Sequence, residues 1–106
     1  MAEKREVVEG IQYQGVDEQI YYAITTTPWG TSPHTVSMVV KDENAHFADV
    51  TSTVSTGSAS VAGSVITLPI IKSLTDITSG HFYRVEVKFT SGSNIFECYF
   101  RIQAEL

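Results

Sequence analysis

Few side chains in this sequence could carry chemistry, and their spacing decides what they can do. The histidines His34, His46 and His81 stand too far apart for a local metal motif, and a single cysteine, Cys98, does not complete a ligand set with them. His81 reads as a residue at the start of a strand, and His46, near Asp42 and Glu43, as a solvated loop residue. Cys98 falls between Phe96 and Phe100 on one face of an alternating segment, a setting that keeps a thiol buried and unreactive. Asp42, Glu43 and Asp49 offer oxygen ligands, but their spacing matches no calcium-binding loop, so a solvated turn is expected. No glycine-rich loop opens a helix after a strand, and no Gly-x-Ser-x-Gly frames any of the serines. Neither an enzyme nor a cofactor is expected.

Binding is the better prospect. Trp29, in Pro28-Trp29-Gly30, sits in a loop where a large aromatic can anchor a partner. Grouped with His34, Ser91, Ser93 and Asn94 at one end of the fold, it would form a recognition edge with the composition of many sugar sites. The favoured reading of Trp29 itself, however, folds it down as a plug over the open end of the core, since burial of so large a ring is favourable.

These residues need elements to hold them, and the pattern is β throughout. From Val7 onward apolar residues recur with period two, and no stretch keeps helical spacing for the length of a helix. Asn94 to Leu106 turns Phe96, Cys98, Phe100, Ile102, Ala104 and Leu106 to one face; His81 to Thr90 does the same with Tyr83, Val85, Val87 and Phe89. Ser91-Gly92-Ser93-Asn94 joins them as a hairpin. Further strands are expected at Val65–Ile71 (Ile66, Leu68 and Ile70 inward), Thr35–Lys41 (Val36, Met38 and Val40), Glu18–Thr27 (Ile20, Tyr22 and Ile24) and, more weakly, Val7–Tyr13 (Ile11 and Tyr13), with a turn at Gln14-Gly15-Val16-Asp17. The Ser/Thr-rich run from Asp49 to Ser60 suits either a linker or one or two short edge strands, and the strands are favoured because Val50, Val54 and Val61 punctuate it. An uncharged edge there, at Thr51, Thr53 and Ser55, would be a docking rail for another chain.

About seven or eight short strands with regular turns predict an all-β sandwich of two antiparallel sheets, although a closed barrel satisfies the same periodicity. One domain spans residues 7–106, behind a polar arm at residues 1–6. The 106 residues, 42% hydrophobic and 18% charged, suffice for one self-sufficient core. A net charge of -5 supplies no attraction to nucleic acid or to anionic lipid. No apolar run approaches the roughly 20 residues of a membrane helix, and the polar N-terminus is unlike a secretory leader. With one cysteine, an internal disulfide is impossible and assembly inside a cell is expected.

Leu74, followed after a polar loop by Tyr83-Arg84-Val85-Glu86-Val87, resembles the corner at which immunoglobulin-like and fibronectin-type sandwiches enter their penultimate strand, where a tyrosine hydroxyl bonds back to the loop. Paired cysteines and a tryptophan in the third strand, marks of antibody domains, are lacking. The wider pattern is similar to small immunoglobulin-like structural proteins of tailed phages and prophages. It is carried by Thr27-Pro28, Val36-Ser37-Met38-Val39-Val40-Lys41-Asp42, Asp49-Val50-Thr51, Val61 through Pro69, Leu74, and Tyr83 through Asn94. The resemblance implies a virion- or tail-associated component, found in the particle or in the host cytoplasm during assembly. It would act through protein partners, as a homo-oligomer or on a larger particle. The alternative is a small ligand-binding sandwich that reads carbohydrate with Trp29 and its neighbouring loops.

Overall fold

In the computed structural model the described residues are 5–6, 11–27, 30–74 and 81–105. The strands are β1 (Arg5–Glu6), β2 (Gln12–Gly15), β3 (Ala23–Thr25) and β4 (His34–Asp42), then, after a 3₁₀ turn at Glu43–Ala45, β5 (Ala48–Asp49). A single helical turn, α1 (Thr51–Val54), precedes β6 (Ser55–Thr56), β7 (Ser60–Ala62), β8 (Val65–Thr67), β9 (Ile70–Ile71), β10 (Phe82–Ser91) and β11 (Asn94–Glu105).

The long pair β10–β11 is the spine. It is antiparallel from Phe82↔Gln103 to Ser91↔Asn94 and closes through Gly92 and Ser93, with Gly92 at φ 60, a conformation glycine adopts without steric cost. β4 adds to β10 antiparallel and β5 to the end of β4, while β1 and β2 lie parallel along β11, giving a six-stranded sheet. Opposite it stand a three-stranded sheet, β3-β8-β7, and a two-stranded sheet, β6-β9. The two small sheets follow one line: Leu68 N–H donates to Tyr22 O (2.8 Å), and Ile20 and Ile71 exchange backbone bonds (3.0 and 2.9 Å), so the chain before β3 tracks β8 into β9. Pro69, which has no N–H, falls where the ladder breaks.

The core lies between these walls. Val40 from β4, Tyr83, Val85, Val87 and Phe89 from β10, and Cys98, Phe100, Ile102 and Ala104 from β11 meet Ile24, Ile66, Leu68, Ile71 and Leu74 from the other side, with Val54 of α1 at the margin. Alternation along the two longest strands therefore has the phase expected of it.

Four expectations need correction. The chain forms an all-β fold, but in three sheets rather than two, with eleven strands among the described residues and with β1 and β2 parallel to β11. Tyr13 is 58% exposed and Gln14 fully buried, the reverse of the expected phase; the turn is closed by Glu18 N–H to Gly15 O (3.0 Å) and leads from the large sheet to the opposite wall instead of joining a hairpin. Ile71, not Ile70, is fully buried, because the break at Pro69 resets the alternation. Thr51–Val54 is helical where a strand was expected.

Candidate functional site

Among the described residues of the proposed recognition edge, the fold brings together what sequence grouped. Thr26 Oγ1 donates to Gly30 O (2.7 Å) and Gly30 N–H to Thr26 O (2.8 Å), closing the loop after β3. Ser91 Oγ, at the end of β10, donates to Thr31 O (2.7 Å) and pins that loop to the hairpin. The approach is close enough to require glycine: a Cβ on Gly30 would lie 2.5 Å from Ser91 Oγ. His34 is opposite Thr90 at the same end, exposed, with Nδ1 3.0 Å from Thr35 Oγ1; Ser93 and Asn94 are exposed at the hairpin tip. Trp29 lies outside the described residues, as does the loop at 75–80 to which the corner tyrosine was expected to bond.

At the opposite end the titratable groups are committed to structure. His81 Nε2 donates to Asp42 Oδ1 (2.9 Å), and its ring stacks on Tyr83 with centroids 5.0 Å apart. The same Asp42 oxygen accepts from Asn44 N–H (2.9 Å), and Asn44 Oδ1 accepts from Phe82 N–H (3.0 Å). Glu43 holds Arg101 through two bonds of 2.9 and 2.8 Å, with the guanidinium 4.3 Å above the Phe82 ring. Asp49 accepts from Thr51 N–H (3.0 Å) and Oγ1 (2.7 Å), bonds that hold its carboxyl below the ordinary aspartate value of 3.8. The expected acidic loop is thus dispersed into caps and clips, and among the described residues no group of three or more His, Cys, Asp or Glu could hold a metal ion.

The outer face of the large sheet neutralises itself. Glu86 lies 3.4 Å from Lys41 Nζ and 3.2 Å from Arg84 Nε, and the Arg84 guanidinium sits 4.0 Å above the Tyr99 ring. Arg84 Nε is nonetheless buried without a hydrogen bond, its angle to Glu86 being unfavourable.

Of the proposed rail at Thr51, Thr53 and Ser55, only Ser55 lies in an edge strand, the two-residue β6. Thr51 and Thr53 belong to α1, where Thr51 Oγ1 accepts from Val40 N–H (2.8 Å), and Ser55 is paired with Ile71 across β6–β9 while its hydroxyl donates to Thr51 O (2.7 Å). Sequence reasoning missed that Thr51 and Ser55 help line a cleft of about 280 Å³, together with Val36, Met38, Ala59 and Pro69. Its signals were Pro69 inside an apparent strand and the Gly57-Ser58-Ala59 run, both ladder breakers.

No protein-family model matches this chain, and no curated protein matches it. Any functional reading therefore stands on the residues and on the arrangement just described.

Proposed function

We propose that this chain is an immunoglobulin-like sandwich that serves as a structural or assembly component of a tailed-phage or prophage particle, working through protein contacts and without catalysis. The observation that supports the sandwich in this reading is strand order, while the particle role rests on the sequence resemblance. In immunoglobulin-like domains one sheet runs B-E-D and the other G-F-C with C′ added at its edge. Here β3-β8-β7 corresponds to the first and β11-β10-β4-β5 to the second, and Leu74 and Tyr83 are both buried in the core. The small β6-β9 sheet continues the first layer past the break at Pro69. Proteins are the favoured partners because the acidic net charge of -5 discourages nucleic acid and anionic membrane alike.

Density-gradient fractions from cells producing the parent particle test this reading. A tagged copy of the chain should travel with heads, tails or their assembly intermediates. A chain that stays at the top of the gradient and remains monomeric in light scattering would sink the structural role. Should that happen, the contact of Ser91 with the Gly30–Thr31 loop favours the carbohydrate-binding alternative, since it sets the neighbours of Trp29 beside Ser93 and Asn94. Glycan-array binding that Trp29→Ala abolishes would establish it.

A further inference from the structure

We infer that the open edge of β4, with the cleft beneath it, is a docking slot for an extended segment of a partner protein that carries an aliphatic side chain at the position facing Met38. This deepens the protein-contact reading and rests on it for the chemical class of the partner.

The edge is defined by its hydrogen bonds. Val40 N–H donates to Thr51 Oγ1 and Val40 O accepts from Val50 N–H (2.9 Å), so both backbone groups of Val40 point away from β10. Backbone direction repeats every second residue along a regular strand, which aims the N–H and C=O of Met38 to the same side; the regular register runs as far as Ser37. Among the described residues no strand accompanies them there. β5 pairs only with Lys41 and Asp42, after which the chain turns into α1, and among the described residues no backbone bond reaches Val36 or Met38 from that side. The register with β10 shifts between Lys88 and Thr90, near Thr35 at φ 53, a bulge that bends this edge where pairing would begin. Apart from that bulge the usual edge protections are lacking, since the run from His34 to Val40 contains no acidic residue, lysine, arginine or proline.

The cleft says what the added strand carries. A residue opposite Met38 turns its side chain to the face that Met38 uses, which is the cleft side. The lining has no charged residue, and the sequence has none between Asp49 and Lys72, so a charged side chain inserted there would lose its hydration without a counter-ion. At about 280 Å³ the cleft falls just below the span of about 300–1,000 Å³ typical of small-molecule sites, which suits one or two side chains of a strand. Backbone bonds for affinity and an alternate side-chain pocket for selectivity are the two parts of recognition by strand addition.

A ribosome-display library of random heptapeptides, selected on the full chain, tests the slot. Enriched peptides should share an uncharged aliphatic residue, and in an amide-resolved titration should shift Val36, Met38 and residues 57–59. N-methylation of the peptide should weaken binding about five- to tenfold at alternate positions only, the worth of one lost backbone bond. Ser58→Glu, at an exposed rim position, should weaken it at least about tenfold with an unchanged melting temperature; Met38→Lys should weaken it as well, with a lowered melting temperature because Met38 also packs against the core. Binding that maps to the outer face of the large sheet, that is indifferent to the N-methyl parity, or that is absent altogether overturns the inference. So does a concentration-dependent shift of the Met38 amide without peptide, which would give the edge to a second copy of the chain. If the slot fails while the chain still travels with particles, only this inference falls; loss of particle association removes the underlying reading as well.

Discussion

Gln14 is the residue at which the alternating pattern and the fold part company. Its side chain is fully buried, donating through Nε2 to Ile71 O (2.8 Å) and Glu18 O (3.0 Å) and accepting through Oε1 from the Tyr22 hydroxyl (2.8 Å). A buried amide is tolerated only with such partners, and periodicity cannot see them because they lie across the turn at Glu18 and Tyr22 and on the distant Ile71. Gln14→Leu should cost about 2–3 kcal/mol in urea denaturation, since it strands the Glu18 carbonyl and the Tyr22 hydroxyl and leaves the Ile71 carbonyl with Ile20 N–H alone. A midpoint equal to that of the wild type would remove Gln14 from this role. Tyr22 adds a pH signature. Burial, with Glu18 nearby as the lesser cause, pushes its hydroxyl from 10.0 up to about 12. Above pH 10 the unfolded chain releases this proton while the folded chain keeps it, so the contribution is intact below pH 10.0 and is lost as pH rises toward about 12. Subtracting the stability profile of Tyr22→Phe from that of the wild type should isolate a decline confined to that window; a flat difference would contradict it.

Among elements, the turn of helix at Thr51–Val54 replaces the expected strand for a reason rooted in Asp49 and Thr51. The Asp49 carboxylate accepts both donors of Thr51, which fits a side-chain-closed turn better than an extended ladder. Thr51 Oγ1 then stands in for a strand partner by accepting from Val40 N–H. Thr51→Ala should therefore destabilise by about 1–2 kcal/mol, the cost of leaving that amide without its acceptor, and Thr51→Ser should restore most of it. Equal denaturation midpoints for all three proteins would show that the hydroxyl is dispensable. Asp49-Val50-Thr51 contains this information, but Ser/Thr-rich runs suit short strands equally well, and only the neighbouring Val40 decides. The β10–β11 hairpin was legible because its turn residues and both alternations agree, each local preference pointing to one structure.

For the molecule as a whole, the core unites strands distant in sequence, and Cys98 reports on it. With 1% exposure between the walls, its thiol should react only when β11 leaves the core, so labelling should be slow and should accelerate in urea along with global unfolding. Labelling of the native protein at the rate of the unfolded chain would refute the packing. The sequence by itself determined the all-β class, the two spinal strands with their inward residues, the buried thiol and the absence of local catalytic motifs, because each follows from the period of a single segment or the spacing of neighbours. The pairing of β2 with β11 in parallel, the division of the second wall at Pro69, the capture of Asp42, Glu43 and Asp49 by His81, Arg101 and Thr51, and the open edge of β4 above its cleft were decided by the tertiary structure. Each depends on which segment arrives opposite another, and alternation specifies a strand's faces without naming the neighbour along its edge.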